Sequence, residues 1–271
     1  MGQQYSRPRK GAKMQVICAG LSRTGTSSIS RALEILLDGP VFHGGTQLCL
    51  GPEAEIKSWM KVLSEWPPTN AAMEQEILNT IRVRTDGYVA ITDAPGCNLV
   101  QELVTLYPDA KVVCTVRDDE AWERSMGGLN DEVSPSALHF ILFLLPTMRL
   151  FPAYVQILIS HWVKLYGESN PPTVKTYHRH IAYLKSVVPP ERLIFFDVRD
   201  GWKPLCKALD RPVPEDVPFP NINDGKAIQT FAMKQIKRGL GTWLLCFSII
   251  GVGSFMLFKA WGILFLNLFI C

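Results

Sequence analysis

Met14-Gln15-Val16-Ile17 runs directly into Cys18-Ala19-Gly20-Leu21-Ser22-Arg23-Thr24-Gly25-Thr26-Ser27-Ser28. A short apolar strand meets a turn rich in Gly, Ser and Thr. A helical spacing of apolar residues then begins at Ile29, Leu33, Leu36 and Leu37. That order builds a phosphate cradle, because the N–H groups at a helix start lack backbone partners and point at an anion. A nucleotide or nucleotide-like donor follows from it, and the transferred group does not.

Outward from this loop, the chain alternates short apolar strands with helices. The pattern predicts a strand at 14–19, the loop at 20–27 and a helix at 27–38. Helices are expected at 53–64 and 71–79, and a strand at 89–92 ends at Asp93. A helix over 98–107 leads to a β-branched strand at 111–116, which delivers Arg117. Helices at 120–126, 137–166 and 173–187, a strand at 193–196 and a helix at 202–209 precede a Pro-rich connection at 212–220. The fold class is α/β: a P-loop-type parallel sheet flanked by helices, with a hydrophobic C-terminal segment behind it. Ligands in such sheets bind beyond the carboxyl ends of the strands. The 20–28 loop, Asp93 and Arg117 all fall at such ends.

The loop departs from the triphosphatase pattern GxxxxGK[ST], since Thr26 stands where the lysine belongs and the charge sits at Arg23. Ser27 and Ser28 can bond phosphate oxygens through their hydroxyls. Arg23 can offset charge on a bridging oxygen. Arg117 at a strand end, with Ser125 eight residues on, can clamp a second phosphate. The other reading of Arg117 is a local surface pairing with Asp118 or Asp119.

A formal net charge of +3 and the lack of a basic stripe interleaved with aromatics argue against nucleic acid. The seven cysteines contain no CxxC pair, which argues against a zinc knuckle or a secreted disulfide scaffold. Residues 239–258 carry no charge and are long enough to span a bilayer. Lys234, Lys237 and Arg238 precede them, so the positive-inside tendency places the folded part in the cytoplasm. A single span or a re-entrant hairpin fits the tail, with Lys259 near its far end. The domain plan is therefore a basic arm at 1–13, a P-loop domain at 14–225, a basic juxtamembrane linker at 226–238 and a membrane anchor at 239–271. Gly2 stands in a myristoylation pattern, Met1-Gly2-Gln3-Gln4-Tyr5-Ser6. A disordered, solubilising arm is the other reading. A second apolar stretch, 138–160, is interrupted by Pro146, Arg149 and Pro152. It reads as an acceptor-pocket lining, a membrane-facing element or an ordinary pair of core helices.

These motifs carry a family resemblance. The 20–28 loop resembles the 5′-phosphosulfate loop of sulfotransferases that use 3′-phosphoadenosine 5′-phosphosulfate (PAPS). Residues 117–125 resemble their 3′-phosphate motif, with the same Arg-to-Ser spacing. Asp93-Ala94-Pro95, Tyr107-Pro108-Asp109-Ala110-Lys111, Asp200-Gly201-Trp202-Lys203-Pro204-Leu205-Cys206 and Phe219-Pro220-Asn221-Ile222-Asn223-Asp224 resemble a divergent branch common in fungi and also found in invertebrates and plants. The resemblance covers about residues 14–225. It implies a PAPS site formed by Ser22, Arg23, Thr24, Gly25, Thr26, Ser27, Ser28, Arg117 and Ser125, with no metal. It implies transfer of a sulfuryl group to a hydroxyl or amine acceptor, a small molecule or a membrane lipid. Arg23 replaces the usual loop lysine, and Asp93 stands where cytosolic members carry a histidine base. The C-terminal Arg-Lys-Gly motif has no clean counterpart beyond Lys226 or Arg238. Asp93 therefore accepts or orients the acceptor's proton, and His43 is the other base candidate. Phe42, Trp59 and Trp66 are acceptor walls or plain packing. A small-molecule kinase and a membrane-bound module without turnover are the competing readings, and a homodimer stays open.

Overall fold

The computed structural model describes residues 4–127, 135–222 and 224–269. Five parallel strands form one sheet in the order β2-β3-β1-β4-β5: β1 Val16–Cys18, β2 Val41–His43, β3 Ala90–Thr92, β4 Lys111–Thr115 and β5 Leu193–Phe196. Helix α1 (Thr26–Leu37) joins β1 to β2. Helices α2 (Gly44–Leu50), α3 (Glu53–Glu65) and α4 (Ala71–Thr85) lead to β3, and α5 (Val100–Leu106) leads to β4. Helices α6 (Asp119–Gly127), α7 (Pro135–Leu142), α8 (Phe151–Tyr166) and α9 (Val174–Val187) lie between β4 and β5. Then come α10 (Trp202–Leu209) and α11 (Asp224–Phe269).

The strands are apolar on both faces, as a doubly covered sheet requires. Val16, Cys18, Val41 and Val113 pack with Ile29 and Leu33 of α1 and Leu205 of α10. Their neighbours Ile17, Phe42, Ile91 and Val112 pack on the other face, with Trp59 of α3, Ile77 of α4 and Leu103 of α5. Phe42 and Trp59 are fully buried with ring centroids 5.6 Å apart, so both serve packing. The chain leaves β1 towards one edge of the sheet and β4 towards the other. This opens a crevice at their carboxyl ends, the usual ligand position in an open α/β sheet.

Several expectations change in the folded chain. Residues 41–43, to which the sequence pattern assigns no element, form the edge strand β2. The helical stretch 137–166 is broken: α7 ends at Leu142, a 3-10 turn covers Met148–Leu150, and α8 starts at Phe151 with Pro152 in its first turn. Proline is tolerated in a first helical turn because the N–H it lacks would be unpaired there. Residues 226–238 are helical, since α11 runs as one helix through them and through Gly251 and Gly253, without a hairpin. The basic arm is docked rather than loose. The Ser6 N–H donates to Gln47 Oε1 at 2.9 Å, and the Arg9 N–H to the Gly87 carbonyl at 2.8 Å. Gly2 and its myristoylation pattern lie outside the described residues. Over Gln229–Trp261, α11 is long and apolar enough to cross a membrane, and its apolar window is wholly exposed.

Candidate functional site

The loop after β1 is shaped from behind. A Cβ on Gly20 would come within 1.8 Å of Thr115 Oγ1, so only glycine lets the loop lie this close to β4. Arg23 has φ 73°, and Gly25, the N-cap of α1, has φ 93°. This left-handed geometry turns the backbone into the start of α1. The Thr24 hydroxyl donates to the Leu21 carbonyl at 2.7 Å and lies 2.5 Å from Thr115 Oγ1. The Thr24 N–H also donates to Leu21. The Thr24 side chain therefore holds the loop's shape, and the residue also lines the cavity described below. The Ser22 hydroxyl likewise meets protein, donating to Asp93 Oδ1 at 2.5 Å. Ser28 is buried, and its oxygen accepts from the Ile222 N–H at 3.0 Å. Thr26 is buried and Ser27 half-buried in the first turn of α1.

Arg117 and Ser125 were expected to clamp one phosphate as a pair. In the structure both meet Arg23. The Arg23 Nε–H donates to Ser125 Oγ at 3.0 Å, and Arg117 Nη1 donates to the Arg23 carbonyl at 3.1 Å. Tyr177 brackets the Arg117 backbone, accepting from its N–H at 3.1 Å and donating to its carbonyl at 2.9 Å. Trp122, fully buried, donates from Nε1 to the Ser22 carbonyl at 2.9 Å and ties α6 to the loop. Arg23, Arg117 and Ser125 line a cavity of about 450 Å³ together with Gly25, Asp197, Arg199, Ile222 and Gly225. Sequence reasoning missed Arg199, although it follows a strand end as Arg117 does. Asp197 Oδ1 accepts from the Arg199 Nε–H at 2.9 Å, and this bond holds the carboxyl below its ordinary range. The size suits a nucleotide-sized ligand, and three guanidiniums suit a polyanion.

Asp93 follows β3 at φ 69°. Besides Ser22, its carboxylate accepts the Gly45 N–H at 3.2 Å on Oδ2, and His43 Nε2 lies 3.8 Å from the same oxygen. The parallel register pairs His43 with Thr92, which sets the two side chains together at adjacent strand ends. His43 also caps α2, with Nδ1 accepting the Thr46 N–H at 3.2 Å. That bond assigns the proton of a neutral ring to Nε2, the nitrogen facing Asp93. His43 and Asp93 were separate base candidates. The structure brings them within 3.8 Å of each other. Burial pushes the nearby Cys18 and Cys49 thiols up to about 12, so neither is a nucleophile at neutral pH. Among the described residues, no group of three or more His, Cys, Asp or Glu is arranged to hold a metal ion.

Behind the loop, the buried His180 ring joins the Ala19 carbonyl at 2.7 Å and the Tyr166 hydroxyl at 2.8 Å. Burial holds it down at about 4. His161 is also held at about 4, by burial and then by Lys164, with its ring 4.5 Å from that of Trp66. Both rings are neutral when folded, and a free histidine titrates near 6.5. Between those values the unfolded chain binds more protons. Stability is therefore full above about 6.5 and falls as pH drops towards 4, by up to about 3 kcal/mol per histidine. Thermal melts of the detergent-solubilised protein across that window should show the loss. His161→Phe should remove about half of it and leave the His180 share, and it costs no hydrogen bond because neither ring nitrogen of His161 has a partner to lose.

Comparison with known proteins gives the family. Over 218 residues the chain is 28% identical to "Ava biosynthesis cluster protein M" of Aspergillus versicolor, which covers 77% of this chain and 80% of that protein. Residues 15–228 match the sulfotransferase domain family, which takes in the loop, Asp93, Arg117, Ser125 and Arg199, and the chain belongs to that family.

Proposed function

We propose that the protein is a PAPS-dependent sulfotransferase acting on a hydrophobic alcohol, held at a membrane with its folded domain on the cytoplasmic side. The observation that carries this is the meeting of two chemistries at the carboxyl ends of neighbouring strands. A cavity lined by Arg23, Arg117 and Arg199 lies beside a carboxylate that Ser22, Gly45 and His43 surround. Arg117 and Arg199 would hold the donor's phosphates, with the loop N–H groups and Ser27 at the 5′ side.

In this reading the acceptor hydroxyl lies against Asp93. Its oxygen forms a bond to sulfur as the bond from sulfur to the donor's phosphate oxygen breaks. Asp93 takes the hydroxyl proton, and 3′-phosphoadenosine 5′-phosphate departs. Arg23 faces the charge that grows on the departing oxygen, where fixed donors act most strongly. The Ser22 hydroxyl and the Gly45 N–H keep the carboxylate aimed. The basic residues Lys234, Lys237 and Arg238 ahead of the apolar part of α11 support the cytoplasmic orientation.

Calorimetric titration of the solubilised protein with 3′-phosphoadenosine 5′-phosphate, beside ATP with magnesium, tests the donor class. Selective binding of the bisphosphate is expected. Arg117→Ala should weaken it about 10- to 100-fold, the worth of one charge-assisted hydrogen bond. Preference for ATP would move the protein to a phosphotransfer class. Binding of the bisphosphate without turnover on any alcohol would leave a binding module.

A further inference from the structure

We propose that α7 is a second membrane contact. It lies in the boundary between headgroups and acyl chains beside the point where α11 enters the bilayer, and it holds the Asp93 end of the site against the leaflet. The acceptor is then an alcohol carried by a membrane lipid. This last part rests on the sulfotransferase reading, and the membrane contact does not.

Depth along α11 follows from its own residues. Trp243 and Trp261 are separated by about 27 Å on a helix, close to the roughly 30 Å hydrocarbon core of a bilayer. Tryptophan favours the two interfaces. Lys234, Lys237 and Arg238 lie just outside Trp243, where they meet anionic headgroups. Trp243 therefore marks the near interface.

Helix α7 is fixed at that depth. The Phe140 ring stacks on Trp243 with centroids 4.4 Å apart and planes 11° from parallel. Trp243 Nε1 donates to the Phe140 carbonyl at 2.9 Å. A Cβ on Gly239 would come within 2.3 Å of the Ile141 carbonyl oxygen, so the two backbones touch. Yet Phe140 is 57% exposed and Phe143 60%, and their surface continues into exposed Leu244 and Phe247. Two open phenylalanines in register with an interfacial tryptophan are the composition of an element that lies in the boundary region.

The far side of this element reaches the site. Leu142, Leu145 and Met148 form a cluster with Cys49 of α2 and Phe231 of α11. The other end of α2 is capped by His43 and gives the Gly45 N–H to Asp93. A helix of seven residues spans about 10 Å. Helix α2 thus links the cluster beside α7 to the carboxylate.

The test uses the full chain in lipid nanodiscs containing a photoactivatable lipid, with its diazirine near the top of the acyl chain. Labelling of Phe140 and Phe143 together with the Trp243 region is expected, and exposed Val83 on α4 should stay unlabelled. Label confined to 243–261 would overturn the contact and leave those phenylalanines to water or to a second copy. The double variant Phe140→Ser/Phe143→Ser keeps α11, and its affinity for 3′-phosphoadenosine 5′-phosphate should be unchanged. Its rate on a bilayer-embedded alcohol should fall several-fold, with no change on a short soluble one. An equal fall on both would overturn the lipid route. Loss of bisphosphate binding by the unaltered chain would sink the sulfotransferase reading alone, because the labelling does not depend on it.

Discussion

Asp93→Asn is expected to lower turnover about 10²- to 10⁴-fold, the usual worth of a positioned proton acceptor, with little change in bisphosphate affinity. Asparagine is the mildest replacement available. It tolerates the left-handed backbone that Asp93 adopts at φ 69°. Its amide oxygen can still accept from Ser22 Oγ, while the amide nitrogen would face the Gly45 N–H, a donor against a donor. The stability cost is that of one imperfect hydrogen bond, about 1 kcal/mol, too small to explain a collapse in rate. Melting temperature and bisphosphate titration on the same preparation separate the two effects. A variant that turns over at the parent rate would remove Asp93 from the chemistry and return the question to His43.

Replacing Arg23 should be nearly as severe. Arg23→Ala is expected to cost about 10²- to 10³-fold in kcat, comparable to the loss of a donor that faces developing charge. Bisphosphate binding should weaken less, because Arg117 and Arg199 remain in the cavity. The backbone at Arg23 is left-handed, so part of any stability loss could come from conformation. Arg23→Gly answers that, since glycine adopts such angles without strain. It should match Arg23→Ala in rate while melting no lower. Arg23→Lys keeps the charge but loses the Nε–H that Ser125 accepts, together with the planar fork. An intermediate rate is expected. Equal losses in kcat and in bisphosphate affinity would assign Arg23 to ground-state binding instead.

His180 explains why the loop can be rigid without a ligand. Its Nε2–H donates to the Ala19 carbonyl just before Gly20, and Nδ1 accepts from Tyr166. With Trp122 on the Ser22 carbonyl and Tyr177 around Arg117, three aromatic or imidazole donors brace backbone rather than touch a substrate. Preorganisation of this kind is what lets fixed dipoles stabilise a transition state.

Local pattern by itself determined the alternation of strands and helices, the loop between β1 and α1, and the apolar helix at the end. Each rests on periodicity or on a run of apolar residues within one segment, and a chain carries such signals without being folded. The position of Arg117 at a strand end was legible for the same reason. Tertiary structure alone decided what these residues meet. Strand β2 has three residues, too few for a period, and only its pairing with β3 makes it a strand. That pairing sets His43 beside Asp93 across a separation of fifty residues in sequence. The clamp expected of Arg117 and Ser125 became a set around Arg23, because α6 swings Ser125 over the loop, and no spacing rule encodes that rotation. Thr24 and Ser22 look like phosphate donors in any loop of this composition. Their hydroxyls turned inward because Thr115 on β4 and Asp93 just after β3 offered buried partners. Periodicity is a property of neighbours in sequence, whereas a hydrogen-bond partner is a property of neighbours in space.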